Sequence, residues 1–268
     1  MSNLTLRIIT AVIFAAVVLA VLLLLPGWPT LLFFTALLLI GVWEWSGFLK
    51  SGLLLRLVFV GSAIALGTAV LGSEVYWAGF FSPAAWLQAA MVWWLVIGVI
   101  LYAVPIRYSA VFVALAGLLC LLPAWLGLLG LFDGSDGPRL FVWLVCIVAA
   151  ADIGAYFSGK RFGRRKLAPA LSPGKTLEGL LGGLLAATLV ACAGSALAGL
   201  PVWPALLWGP LVAAVSVVGD LTVSAFKRNA GLKDTGTVLP GHGGILDRID
   251  SLLAAAPFFV VILSFLRL

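Results

Sequence analysis

Nine apolar stretches, each close to twenty residues long, divide this 268-residue chain. They run at about 8–25, 30–49, 52–71, 84–104, 108–131, 139–158, 177–200, 204–225 and 245–266. About twenty consecutive apolar residues is the length of a helix that crosses a bilayer. The runs are continuous and do not alternate, which points to helices and away from a barrel. Turn chemistry separates them: Pro26-Gly27-Trp28-Pro29, Lys50-Ser51-Gly52, Gly72-Ser73-Glu74, Pro105-Ile106-Arg107, Asp133 to Pro138, and Gly199-Leu200-Pro201. The expected fold class is an all-α, polytopic integral membrane protein with about nine transmembrane helices.

Charge supports that count. Only 10% of the residues are charged, against roughly 25% in a soluble domain. With the N-terminus on one side and the helices alternating, that side receives Arg7, Lys50, Arg107, the cations from Lys160 to Lys175, then Lys227, Arg228 and Lys233. Arg56 and Arg248 lie close to it, and Arg139 and Arg267 fall opposite. The excess of cations assigns the first side, and the N-terminus, to the cytoplasm of a cytoplasmic (inner) membrane. The run Ile8–Leu25 is longer than a signal-peptide core and has no small-residue cleavage site, so it reads as a retained first helix. Cys120, Cys146 and Cys192 lie inside apolar runs without metal-ligand spacing and read as small core residues.

The two halves differ. Residues 1–150 carry scattered single charges and read as transmembrane scaffold. Residues 151–268 gather their charges into two basic cytoplasmic loops and read as the catalytic region. In the first loop, Asp152 and Tyr156 precede six cations. Arg161, Arg164, Arg165 and Lys166 suit a topological anchor to anionic lipid. Ser172-Pro173-Gly174-Lys175-Thr176-x-Glu178 is less easily explained that way. Gly174-Lys175-Thr176 looks like the end of a P-loop, but Pro169 stands where that pattern needs glycine. A helix N-terminus with a lysine still makes a phosphate cradle, and Ser172 or Thr176 also suits capping.

The second cluster starts at Asp220, deep in an apolar run. A carboxylate there is costly and marks a functional site by default. Ser216, Ser224 and Lys227 share its helical face. An ion pair of Asp220 with Lys227 or Arg248 is the structural alternative. Asp247 and Asp250 share a face of the following helix. Asp220, Asp247 and Asp250 together would need a cation, and a hard, oxygen-ligated ion such as Mg²⁺ suits them. Between the helices, Lys227, Arg228 and Lys233 lead into Pro240-Gly241-His242-Gly243-Gly244, which reads as an anion nest. Arg248 adds a further phosphate contact. Carboxylates, cations and a nest at a membrane surface suit transfer at a polyphosphate, from a cytosolic nucleotide to a lipid.

Ser224-x-x-Lys227-Arg228, Lys233-Asp234 and Pro240-Gly241-His242-Gly243-Gly244-x-x-Asp247-Arg248-x-Asp250 resemble the C-terminal motif of the phosphatidate cytidylyltransferase (CDP-diacylglycerol synthase) family. Asp152-x-x-Ala155-Tyr156 and Ser172 to Gly179 resemble the same family, so the likeness covers about residues 150–255. Gly174 departs from it, standing where many relatives carry a second lysine. The resemblance implies that CTP and phosphatidate give CDP-diacylglycerol and pyrophosphate in phospholipid biosynthesis. It implies Mg²⁺ on Asp220, Asp247 and Asp250, with a monovalent ion such as K⁺ as a second. It implies phosphate binding by Ser172, Lys175, Lys227, Arg228, Lys233 and His242, and no general base. Thr176, Ser224, Gly243 and Gly244 complete the expected substrate contacts, and Lys227 joins the three aspartates as an expected catalytic group. Membrane lipids are expected partners and nucleic acid is not. Gly179-x-x-x-Gly183 suits close helix packing, within one chain or in a homodimer. The rival readings are a CTP-dependent polyprenol or phytol kinase and an ion-coupled transporter. A transporter would carry polar residues through the bilayer, whereas here they crowd one face.

Overall fold

The structure is a computed structural model that describes residues 3–25, 27–76, 83–103, 107–132, 134 and 136–266. Arg267, and Pro26, Pro105, Ile106, Asp133 and Ser135 of the expected turns, lie outside the described residues, as does the side chain of Arg7. The helices are α1 (Asn3–Leu24), α2 (Gly27–Ser46), α3 (Leu53–Tyr76), α4 (Pro83–Ala103), α5 (Ala110–Phe132), α6 (Gly137–Phe162), α7 (Leu177–Leu197), α8 (Ala205–Ala230) and α9 (Leu246–Leu266). Among the described residues, α2 to α9 each hold a segment long and apolar enough to cross a membrane, and Val12–Leu24 of α1 is a shorter apolar helix. The chain is an all-α polytopic membrane protein.

Two helices outrun their apolar stretches. α6 continues to Phe162 with Lys160 and Arg161 in its last turn, and α8 continues to Ala230 with Lys227 and Arg228 there. Cations favour the negative end of the helix dipole, so a turn that hydropathy assigns to a loop stays helical. Gly231, at φ 76°, then stops α8, and Leu232 N donates back to Lys227 O at 2.8 Å.

One element was unforeseen. Lys166–Ala168 (β1) and Ser172–Thr176 (β2) form an antiparallel hairpin between α6 and α7. Ser172 therefore lies on a strand and does not cap α7. Thr176 is the cap, accepting from Gly179 N at 3.0 Å. Gly174-Lys175-Thr176 lies on β2 itself, which is not the loop of a P-loop.

The chain packs as two compact units, and the division does not fall at residue 150. The first unit is Met1–Ala89, Ile106–Pro138 and Phe226–Ile249; the second is Ala90–Pro105, Arg139–Ala225 and Asp250–Leu268. The helices 1–150 do not form a body of their own, because α2 and α5 pack with the Phe226–Ile249 segment. Trp45 of α2 is fully buried, donates to Val113 O of α5 at 2.9 Å, and lies 5.1 Å from the Phe226 ring. Gly117 of α5 leaves the space Trp45 fills. Gly41 meets Leu246 and Ile249 at ordinary contact distance.

Hydrogen bonds gather several links at one end of the first unit. Thr10 of α1 donates to Pro240 O at 3.0 Å, and Arg56 at the start of α3 donates to Ser46 Oγ at 2.9 Å. Tyr108, just before α5, exchanges two bonds with the Asn229 side chain.

In the second unit, α6 and α7 pack backbone to backbone. A Cβ on Gly154 would lie 2.7 Å from Gly182 O, and one on Gly183 would lie 2.6 Å from Ala151 O. The Gly179–Gly183 face is thus used within the chain. The opposite face of α7 exposes Leu181, Leu185 and Leu189, the inverse of a water-soluble helix and suited to lipid. Of the cysteines, Cys120 is buried but Cys146 is exposed on α6, so the core reading fails for Cys146.

Candidate active site

Two polar assemblies hold most of the expected residues, one in each unit. The first lies between the ends of α8 and α9. Lys227 Nζ lies 2.7 Å from Asp247 Oδ1, and both residues are buried. Asp247 Oδ2 accepts from Thr235 N at 2.8 Å, Gly244 N at 2.9 Å and Thr235 Oγ1 at 3.0 Å. The carboxylate thereby ties three points of the 227–247 segment together. The glycine-rich turn is tight: Leu239 N donates to Gly243 O and His242 N to Leu239 O, both at 2.9 Å. Gly241 and Gly243 adopt positive φ, at 77° and 86°. At Gly243 a Cβ would also lie 2.5 Å from Asp247 Oδ2, so glycine is required twice over.

This corrects part of the anion-nest expectation. The N–H groups of His242 and Gly244 serve the loop and the Asp247 carboxylate. What the loop offers an anion is its exposed rim of cations. Lys233 is exposed, Arg228 donates to Leu232 O at 3.4 Å, and Arg248 donates to His242 O at 3.4 Å.

The second assembly joins the hairpin to α6 and α8. Lys175 Nζ on β2 pairs with Asp220 Oδ2 at 2.5 Å, with both side chains partly accessible. Ser224 donates to Asp220 Oδ1 at 3.3 Å. Asp152 of α6 lies within electrostatic reach of Lys175 and Asp220. The expected structural pairs of Asp220 with Lys227 or Arg248 are replaced by this one. Ser216, four residues before Asp220 on the same helix, donates to Ala213 O at 2.8 Å. Asp250 enters from α9, where the backbone at Gly219 packs so closely that a Cβ would lie 2.5 Å from Asp250 O. Glu178 accepts from Arg164 N at 2.9 Å and from Arg165 N at 3.2 Å, pinning the hairpin to the first turn of α7. Ser158 fixes the same turn by donating to Glu178 O at 3.0 Å.

Of the three aspartates expected to share a cation, Asp247 belongs to the first unit and Asp220 and Asp250 to the second. Among the described residues no three His, Cys, Asp or Glu side chains are grouped to hold a metal. Asp247 is already satisfied by Lys227, Thr235 and Gly244 and makes a poor ligand. Asp220 and Asp250 fit better: they are carboxylates on adjoining turns of α8 and α9, with Asp152 nearby and Lys175 as cationic neighbour. Mg²⁺ commonly takes one or two carboxylates and fills its shell with water and substrate phosphates.

The profile of the cytidylyltransferase family matches residues 5–266. The chain belongs to that family. Within it, the chain is 42% identical to the phosphatidate cytidylyltransferase of Pseudomonas aeruginosa, over 96% of each protein. It is 37% identical to the protein of that name from Haemophilus influenzae, over 94% of this chain and 96% of that one. A Helicobacter pylori protein of the same name is 44% identical over 49% of this chain and 50% of its own length. The first two alignments carry the cytidylyltransferase likeness into the N-terminal helices, beyond the motifs of residues 150–255.

Two residues of the first assembly escaped the sequence reading. Glu44 of α2 accepts from Leu246 N at 2.8 Å, Ile245 N at 3.0 Å and Thr235 Oγ1 at 3.0 Å. Thr235 thus stands between two carboxylates. The available signal was Glu44 itself, an acid inside an apolar run, to which the rule applied to Asp220 extends equally.

Proposed function

We propose that this chain transfers the cytidylyl group of CTP to phosphatidate, releasing pyrophosphate and forming CDP-diacylglycerol for phospholipid biosynthesis. The observation that carries this reading is the Lys175–Asp220 assembly. It sets a hairpin lysine against an apolar-helix carboxylate, in a chain whose full-length relatives are named for that reaction. A phosphate oxygen of phosphatidate forms the new bond to the α-phosphorus of CTP. The bond from that phosphorus to the α,β-bridging oxygen breaks, and the electron pair leaves with pyrophosphate. The nucleophile is already anionic, so no side chain need remove a proton.

Lys175 of the second unit supplies positive charge for a phosphate beside Asp220; in the first unit Arg228, Lys233 and Arg248 offer cations on the loop, and Lys227 and Asp247 keep that loop in shape. Ser172, Thr176 and Ser224 belong to the assembly around Lys175 and Asp220, and His242, Gly243 and Gly244 shape the loop before α9. Mg²⁺ would be held by Asp220 and Asp250, and K⁺ is a second candidate for these carboxylates. When bound, such a cation offsets the negative charge that builds on phosphate oxygens during transfer. The site faces the cytoplasm of the inner membrane, with the N-terminus on that side, as the cation distribution favours. The chain works with membrane lipid and CTP, with no call on nucleic acid. A homodimer would have to use a face other than the Gly179–Gly183 seam.

Purified protein given CTP labelled at the α-phosphorus should yield a labelled lipid, and label at the γ-phosphorus should leave as pyrophosphate. Transfer of the γ-label to lipid would instead mark a kinase. Absence of any labelled lipid would reject both.

A further inference from the structure

Glu44 stands in a part of the chain that sequence patterning reads as scaffold, yet its side chain is committed to the motif loop some two hundred residues away. It is 5% exposed. A buried carboxylate is costly unless its oxygens are satisfied, and every partner recorded for it belongs to the segment before or at the start of α9. Ile245 N and Leu246 N are first-turn N–H groups that α9 cannot bond internally. Thr235 Oγ1 lies 3.0 Å from Glu44 Oε2 and 3.0 Å from Asp247 Oδ2, with one hydroxyl proton for both. Gly236 and Gly244 press against the Glu44 carboxylate so closely that any side chain there would collide with it. Next along α2, Trp45 anchors the helix in the core through Val113 and Phe226.

We infer that Glu44 is a positioning residue for nucleotide binding: it fixes the 235–247 loop in register with α9, and it does so through Thr235 and Asp247. This rests on the reading that the loop serves the phosphates of CTP. Glu44 touches no substrate itself.

The test uses the full chain in detergent or nanodiscs, with kinetics for each substrate and direct CTP binding by calorimetry. Glu44→Gln keeps the shape but turns an NH₂ toward backbone N–H donors. It should raise KM for CTP, and weaken CTP binding, at least tenfold while KM for phosphatidate stays within about twofold. Thr235→Val should act in the same direction, and Thr235→Ser, which keeps the hydroxyl, should recover most of the loss. A merely structural role would lower the yield of folded protein or change both KM values alike. An unchanged KM for CTP, or equal changes for both substrates, overturns the inference. Should Glu44→Gln fail to fold, the Thr235 pair decides by the same criterion. Wild-type protein that forms no CDP-diacylglycerol would instead reject the reading of the reaction.

Discussion

Lys227 and Asp247 form an ion pair of 2.7 Å with side chains only 11% and 4% exposed. Breaking one side of such a pair strands the other charge, at a cost of about 3–5 kcal/mol. Asp247→Asn should therefore lower both thermal stability and activity, and Lys227→Met should do the same. In a chain of this size the shift should be on the order of 10 °C, read by thermal unfolding in detergent. An Asp247→Asn protein as stable as wild type but inactive would return Asp247 to the role of metal ligand.

Lys175 and Asp220 should behave differently, because both are partly accessible. Accessible pairs contribute about 0–1 kcal/mol. Lys175→Met should change the melting temperature little and reduce cytidylyl transfer at least a hundredfold. Initial rates on matched amounts of folded protein decide the point.

Chelation of divalent cations should abolish turnover, and Mg²⁺ should restore it. Asp220→Asn and Asp250→Asn should raise the Mg²⁺ concentration for half-maximal rate at least tenfold. Asp247→Asn should leave that concentration near the wild-type value in whatever activity survives. A titration of rate against Mg²⁺ separates the three aspartates.

The α6–α7 seam allows a packing test with its own control. Gly183→Val would drive a side chain into Ala151 O and Ala155, so folded protein should be lost. Gly174→Val faces open space on β2 and should fold normally. Size-exclusion profiles of the two detergent-solubilised variants make the comparison.

Much of the fold was legible because hydrocarbon length is a local property. Each helix reports itself, and the misjudged ends of α6 and α8 are those where charge, not hydropathy, extends the helix. Asp220 was legible because an isolated acid in an apolar run has few explanations. The hairpin was not: Ser172-Pro173-Gly174-Lys175-Thr176 has neither alternation nor β-branched content until its last residue. Its order comes from Glu178 reaching back to Arg164 and Arg165. Lys227 as the partner of Asp247 was not legible, because helical spacing shows which residues share a face and not what stands opposite. Glu44 was missed because its partners lie about two hundred positions away, and no periodicity links them.

The glycine seam between α6 and α7 bears on the order in which the protein is made. Its contacts join helices that follow one another in the chain, with only the β-hairpin between them. The glycine contacts of the seam all lie between residues 151 and 186. The pair can settle in the membrane while α8 is still in the ribosome, so Lys175 is already in place when Asp220 arrives. An acidic helix then enters beside a waiting cation, which eases the insertion of a carboxylate that hydrocarbon alone would resist.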